Sequence, residues 1–172
     1  PIIRSILTAN YIPTLHSNMK TFKQLVAEHV THVTELMPWD LEEKLNQNQE
    51  LLLLDIREPA EFSAMHIQDS INIPRGILES ACDYNYSETE PSLVHNRDQE
   101  IIVICRSGNR SVLAASTMQQ MGYSNTSSLK TGLKGWNDYD QPLVNNDENI
   151  IDAEVAEEFL SPEVKPEQIN PQ

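Results

Sequence analysis

The chain has 172 residues, with 12 Lys or Arg against 26 Asp or Glu, so its formal net charge at pH 7 is −14. This charge argues against nucleic acid and anionic membrane surfaces as partners, because both bind basic protein faces. Apolar residues make up 39% of the chain, which is enough for one core, but no apolar run reaches the ~18 residues of a membrane span.

The first half of the chain predicts alternating helices and strands. The run LLLLDI is apolar without polar alternation, which is typical of a parallel strand buried on both faces. Pro38 and the acids after it favour the start of a helix. The expected elements are a helix over 20–32, a strand over 33–36, a helix over 38–47, a strand over 51–56, a short helix over 59–67 and a short strand over 70–74.

The second half continues this alternation after an irregular stretch, 76–99, which is expected to be mostly a long surface loop. EIIVIC at 100–105 is a second unbroken apolar run, and the helical pattern at 110–121 ends at Gly122. The remaining expected elements are a turn of helix at 77–81, a strand at 127–129 and a helix at 152–160. Strands that alternate with helices predict an α/β fold with a parallel sheet.

Charge is distributed unevenly along the chain. Residues 101–144 include four basic and two acidic residues, whereas residues 145–172 include one basic and eight acidic residues. The acidic tail is expected to be either a solvated, largely disordered extension or a segment that binds a partner or covers the basic region. The helix over 20–32 is expected either to pack on the domain or to serve a dimer interface.

The residues that carry chemistry follow the second buried strand. Ligands bind at the carboxyl ends of parallel strands, and the sequence there is CRSGNRS, residues 105–111. The chain between Cys105 and the next helix must curl so that several backbone N–H groups point inward, and Gly108 supplies the permissive backbone. Arg106 and Arg110 add two positive charges. The segment therefore predicts an anion-binding cradle that favours a nucleophilic thiolate at Cys105.

Three ordered segments carry a family resemblance. LLLLDIREPAEFSAMHIQDSINIPRG, CRSGNRS and GLKGWNDYDQPLV stand in this order in the chain. They resemble the opening motif, the active-site loop and the closing Gly-x-x-x-Trp motif of the rhodanese-like sulfurtransferases. The resemblance implies a five-stranded parallel sheet flanked by helices on both faces. It divides the chain into an N-terminal extension with one helix (1–33), a rhodanese-like catalytic domain (34–144) and the acidic tail (145–172).

The resemblance implies that the protein moves sulfane sulfur by ping-pong covalent catalysis. Cys105 would take the outer sulfur of thiosulfate as a persulfide and release sulfite, and cyanide or a thiol would then accept that sulfur. A sulfur-relay protein is a further expected partner. No metal or organic cofactor is implied, because the protein itself carries the persulfide. The expected substrate-binding residues are Arg106, Ser107, Gly108, Asn109, Arg110 and Ser111, with Arg106 and Arg110 on the sulfonate oxygens.

Other residues are expected to support this site. Asp55, Arg57 and Glu58 end the first buried strand at the same sheet edge as the loop, where they either orient the loop through ion pairs or form a structural salt-bridge network. His66 is expected to bond to a backbone group. Trp136 is expected to be a core or rim aromatic beside the site, and direct contact with the substrate is the alternative.

Cysteine usage indicates a reducing compartment. Cys82 and Cys105 cannot form a disulfide framework, and a zinc site would need more thiols or a matching pair of histidines. The expected location is therefore cytoplasmic. Cys82 lies in the irregular stretch without basic neighbours, so packing is its expected role, and resolution of a persulfide is the alternative.

Loop length separates the expected function from related ones. The count from Cys105 to Arg110 is Cys-x4-Arg, whereas related phosphatases and arsenate reductases carry Cys-x5-Arg, which holds a tetrahedral oxyanion. The leading prediction is therefore a thiosulfate sulfurtransferase of the rhodanese type. The alternatives are a persulfide carrier that serves a partner desulfurase, a non-catalytic regulatory domain, and a Cys-dependent phosphatase or arsenate reductase. The intact Cys with two Arg argues against the regulatory domain.

Overall fold

The five strands pair in parallel, as the unbroken apolar runs predict. The computed structural model describes residues 19–47 and 49–170. The strands lie in the order β1-β5-β4-β2-β3, so β4 stands at the centre of the sheet between β5 and β2. Their bounds are β1 (Thr34–Leu36), β2 (Leu51–Asp55), β3 (Ile71–Asn72), β4 (Glu100–Ile104) and β5 (Thr126–Leu129).

Eight α-helices surround the sheet within the same two ranges. They are α1 (Phe22–Val30), α2 (Pro38–Asn46), α3 (Pro59–Ala64), α4 (Leu78–Ala81), α5 (Pro91–Val94), α6 (Asn109–Gln120), α7 (Gly132–Asp138) and α8 (Ala153–Leu160). The four long predicted helices are confirmed with ends shifted by at most two residues. α3 stops earlier than expected because the chain turns extended at Met65 and His66 forms a β-bridge with Val144. None of these helices has the length and apolar character needed to cross a membrane.

Two hydrophobic clusters cover the two faces of the sheet. Successive residues of a strand point to opposite faces, so Ile101 and Val103 belong to the cluster beside α6, whereas Ile102 and Ile104 belong to the cluster beside α2, α7 and α8. The prediction of helices on both faces is confirmed. Cys105 is in phase with Ile101 and Val103 and therefore lies on the α6 side of the sheet.

The stretch 76–99 is more ordered than a surface loop. It contains α4 and α5, and it buries Leu78, Cys82 and Leu93 completely in the core. The turn of helix expected at 77–81 is confirmed by α4, whereas the expectation of a loop is wrong for α5. Helices of four residues are too short to show the periodicity that identifies a helix in a sequence.

The acidic tail contains one packed helix. α8 packs against α7 with Ala156 and Leu160 buried, and Nζ of Lys134 donates to Glu157 at 2.6 Å. The expectation of a largely disordered tail does not describe this helix, although residues 161–170 are all exposed. The division at 34 and 145 stays a prediction, and residues 1–18 of the expected extension lie outside the described ranges.

Candidate active site

The sulfur of Cys105 occupies the position of a helix-capping acceptor. Cys105 directly follows β4, and α6 begins at Asn109 with Gly108 as its N-cap residue at φ 88°. Sγ accepts the N–H of Gly108 at 3.1 Å and the N–H of Ser111 at 3.3 Å. These amides are among the donors that the start of a helix leaves unpaired, and the helix dipole favours negative charge on their acceptor. The curl expected from CRSGNRS therefore points its N–H groups at sulfur.

The N-terminus of α7 holds the other side of the loop. The N–H groups of Leu133 and Lys134 donate to the carbonyl oxygens of Cys105 at 2.9 Å and Arg106 at 3.0 Å. Gly132 has a φ of 59°, and a Cβ at this position would lie 2.6 Å from the carbonyl carbon of Arg106. Only glycine permits this approach. The starts of two helices thus shape the loop, since α7 binds its carbonyls and α6 gives N–H groups to the sulfur.

A pair of buried serines anchors the loop to β5. Oγ of Ser111 donates to the carbonyl of Gly108 at 3.0 Å and lies 2.8 Å from Oγ of Ser128. The same Oγ is 3.3 Å from Sγ of Cys105. Ser111 was expected at the site, whereas Ser128 was not. The sequence does contain a sign of Ser128, because it places a hydroxyl in a strand of the buried sheet. A buried hydroxyl needs a hydrogen-bond partner.

A cavity of about 390 Å³ lies against the loop. Cys105 is fully buried and is not part of the cavity wall. Most of the lining residues are those expected to bind substrate, and Phe22 and Glu61 are additional. The lining residues are Phe22, Glu61, Arg106, Ser107, Asn109 and Arg110.

The two arginines of the loop have different environments. Nη1 and Nη2 of Arg110 each donate to a carboxylate oxygen of Glu61 at 3.0 Å. Burial alone would raise the pKa of Glu61, but the hydrogen bonds and the charge of Arg110 outweigh burial and lower it. Among residues 19–47 and 49–170, no carboxylate forms an ion pair with Arg106. Sequence reasoning missed Glu61, because its partner belongs to a distant helix.

The residues that end β2 form a structural pair. Nε and Nη2 of Arg57 bond to the carboxylate of Asp55 at 2.8–3.1 Å, and both side chains are fully buried. Nη2 also donates to the carbonyl of Met65 at 2.6 Å. Glu58 is the exposed N-cap residue of α3. In the part of the chain that the structure describes, none of these three side chains bonds to the loop, which fits the structural network and not loop orientation.

His66 and Trp136 lie outside the cavity. Nδ1 of His66 is 2.9 Å from the carbonyl oxygen of Phe62, and the two rings stack with centroids 3.9 Å apart. This is the backbone contact that was expected. Trp136 is a core residue on the α2 and α7 side, and its Nε1 donates to the carbonyl of Pro142 at 3.0 Å. It lines a different cavity, beside Glu42, so it supports the core and not the wall of the site.

Cys82 is buried in the core cluster on the α6 side. Burial raises the pKa of its thiol to about 11, which disfavours the reactive thiolate. The expectation that it has no basic neighbour is wrong, since Nη2 of Arg97 donates to its carbonyl at 3.2 Å. This bond holds the backbone of Cys82. The thiol itself lies in the hydrophobic core cluster, which supports the expected packing role.

Comparisons with known proteins match the part of the chain that contains the sheet and the loop of Cys105. A family profile described as the rhodanese-like domain matches residues 37–139. A Bacillus subtilis protein named as a sulfur carrier is 28% identical over 110 residues, which are 64% of this chain and 54% of that protein. An Allochromatium vinosum protein named as a sulfurtransferase is 30% identical over 112 residues, which are 65% of this chain and 95% of that protein. The match therefore spans about half of one relative and nearly all of the other.

The sheet and its helices also match solved structures. A Rhodopseudomonas palustris protein of unknown function, described as a possible tyrosine phosphatase, is 26% identical with a TM-score of 0.67. The match covers 73% of this chain and 95% of that one.

Proposed function

The chain belongs to the rhodanese-like domain family, with a sulfurtransferase and a sulfur carrier among its relatives, and we propose that it transfers sulfane sulfur through a persulfide on Cys105. The proposed donor is thiosulfate or another persulfide donor, and the acceptor is cyanide or a thiol. One observation carries the proposal. The sulfur of Cys105 accepts two N–H groups at the start of α6, next to a cavity that Arg106 lines.

In the donor step, the thiolate of Cys105 attacks the outer sulfur of thiosulfate. A new S–S bond forms on Cys105, the S–S bond of thiosulfate breaks, and its electron pair leaves on sulfite. Arg106 binds the sulfonate oxygens, because its guanidinium is the cation at the cavity that no described carboxylate neutralises. The N–H groups of Gly108 and Ser111 stabilise the negative charge of the sulfur that attacks.

In the acceptor step, cyanide attacks the terminal sulfur of the persulfide. A C–S bond forms, the S–S bond breaks, thiocyanate leaves, and the thiolate of Cys105 is restored. The same N–H groups donate to the cysteine sulfur and stabilise the negative charge that returns to it. The donor and acceptor steps therefore use the same pair of N–H groups, as expected of a ping-pong enzyme in which both substrates react at one sulfur.

A persulfide carrier is a second candidate function. Glu61 neutralises Arg110, so among the described residues that line the cavity only the guanidinium of Arg106 is left to bind a donor that carries two negative charges. A carrier takes sulfur directly from the persulfide of a partner desulfurase and needs no site for a free dianion. A saturating, low KM for thiosulfate favours the enzyme, whereas loading by a desulfurase with negligible use of thiosulfate favours the carrier.

Thiocyanate production from thiosulfate and cyanide tests the proposed function. The wild type is compared with Cys105→Ser and with Cys82→Ser, which is the matched control because the chain has two cysteines. We expect Cys105→Ser to abolish turnover and Cys82→Ser to retain it. Turnover of an aryl phosphate that disappears in Cys105→Ser would instead support the phosphatase alternative.

A further inference from the structure

An aromatic side chain from outside the family region lines the cavity. Phe22 precedes the matched residues 37–139 and stands at the first position of α1. It shares the cavity wall with Arg106 and Arg110. Phe22 is 52% exposed, so about half of its surface is available to a ligand in the cavity, and burial of that surface would stabilise the bound ligand.

The position of Phe22 is fixed by the packing of α1. Val26 and Val30 pack against the core cluster beside α6, and Nδ1 of His29 is 2.7 Å from Oγ of Ser116 in α6. At the start of the helix, the N–H of Gln24 donates to the hydroxyl of Thr21 at 3.2 Å, and the Thr21 N–H donates back to the Gln24 side chain. This capping box fixes the first turn of α1. The ring is therefore part of a built wall.

The cavity is larger than the small inorganic reactants. A water molecule takes about 30 Å³ of liquid volume, and cyanide or thiosulfate takes only a few times as much. A cavity of about 390 Å³ leaves space for an organic group against the loop that follows Cys105. The wall offers that group an aromatic face at Phe22 and a guanidinium at Arg106. An apolar body and a carboxylate are the chemical complements of these two contacts.

We propose that Phe22 is a specificity-determining residue that favours organic thiol acceptors with an apolar body and a carboxylate over cyanide. This inference rests on the proposed function. The sulfur of the thiol attacks the terminal sulfur of the Cys105 persulfide, so the new S–S bond forms on the acceptor and the old one breaks. Cys105 leaves as a thiolate, and the proton of the thiol passes to the terminal sulfur of the product persulfide.

Two acceptors and a matched pair of variants test the role of Phe22. The acceptors are 4-mercaptobenzoate and cyanide, and the quantity is the ratio of their kcat/KM values at saturating thiosulfate. Phe22→Ala is expected to lower this ratio about twofold to tenfold, the range of one aromatic contact, and Phe22→Leu is expected to lower it less. Leu25→Ala, an exposed position of α1 that does not line the cavity, is expected to preserve the ratio.

Binding of an unreactive analogue separates this inference from the proposed function. Calorimetry with 4-(methylthio)benzoate is expected to give a Kd that Phe22→Ala raises about twofold to tenfold and Leu25→Ala does not change. Equal loss with both acceptors and an unchanged Kd would overturn the inference, and so would an equal effect of Leu25→Ala. If the wild type forms no thiocyanate but binds the analogue through Phe22, the proposed function fails and the binding site stands.

Discussion

Glu61 binds Arg110 through two parallel hydrogen bonds of 3.0 Å at the wall of the cavity. The pair joins α3 to α6, so it links the segment after β2 to the helix that starts at the loop of Cys105. A bidentate carboxylate fixes the plane of the guanidinium and also cancels its charge. Glu61 therefore both positions Arg110 and reduces the attraction of the cavity for anions.

Glu61→Gln is expected to lower the KM for thiosulfate about threefold to tenfold, because removal of one screened negative charge near a dianion is worth about 1 kcal/mol. Steady-state kinetics at low ionic strength measure this change, and added salt should reduce it. Glu79→Gln is the control, since Glu79 pairs with Arg75 away from the cavity. A higher KM in Glu61→Gln would show that positioning of Arg110 outweighs its charge.

The lowered pKa of Glu61 makes the stability of the pair depend on pH. The native carboxyl binds a proton less tightly than the unfolded one, whose ordinary pKa is 4.5. The contribution to the free energy of unfolding is therefore complete above that value and is lost as the pH falls through the lower folded pKa. Thermal melts should show the Tm of the wild type approaching that of Glu61→Gln as the pH is lowered from about 6 to about 3. A difference in Tm between the two proteins that stays constant with pH would contradict a stabilising ion pair between Glu61 and Arg110.

Arg106 is expected to matter more than Arg110 for the binding of thiosulfate. Arg106 lines the cavity without a carboxylate partner in the described ranges, whereas Arg110 is already paired with Glu61. Loss of a charge-assisted contact costs about 1.5–3 kcal/mol, so Arg106→Ala should raise the KM for thiosulfate about tenfold to a hundredfold. Arg110→Ala should raise it less. The reverse order of the two KM values would show that Glu61 releases Arg110 when the donor binds.

Gly132→Ala is expected to displace the backbone of the loop that follows Cys105, because α7 packs directly against that backbone. A Cβ at residue 132 would collide with the backbone of Arg106, and the φ of 59° disfavours any other residue. The free energy of unfolding should fall by about 1–3 kcal/mol. Turnover should fall further than stability explains, because the carbonyls of the loop lose their N–H partners on α7.

Gly76→Ala is the matched control for the glycine of α7. Nothing lies within 4 Å of a Cβ at residue 76. Urea unfolding and thiocyanate production are measured on both variants. Equal activity of the two variants would show that the close approach of α7 does not shape the loop.

The sheet could be predicted from the sequence because its central strands are unbroken apolar runs, and their direction followed from the helices between them. Cys105 and its loop could be placed because they directly follow β4 in the chain. These features depend on neighbours in sequence. The pair of Ser111 and Ser128 shows the limit of sequence analysis, since Ser111 belongs to the CRSGNRS motif whereas Ser128 contacts it from β5.

The missed residues depend on contacts between distant segments. Glu61 and Arg110 are 49 positions apart, and no local pattern connects them. Phe22 lies in the helix that the sequence predicts over 20–32, but no local pattern connects it with the loop of Cys105, because the cavity that it lines depends on the packing of α1 on α6. Arg57 and Trp136 belong to the opening and closing family motifs, yet both side chains are buried in the fold and neither lines the cavity beside the loop. Motif membership alone does not distinguish a residue of the site from one that supports the fold.

The intact mass of the reduced protein after incubation with thiosulfate tests the persulfide on Cys105 most directly. The wild type and Cys82→Ser are expected to gain one sulfur atom, about 32 Da, that cyanide removes as one equivalent of thiocyanate, and Cys105→Ser is expected to gain none. A gain that persists in Cys105→Ser, or no gain in the wild type with thiosulfate or with a desulfurase persulfide, would contradict sulfur transfer through this residue.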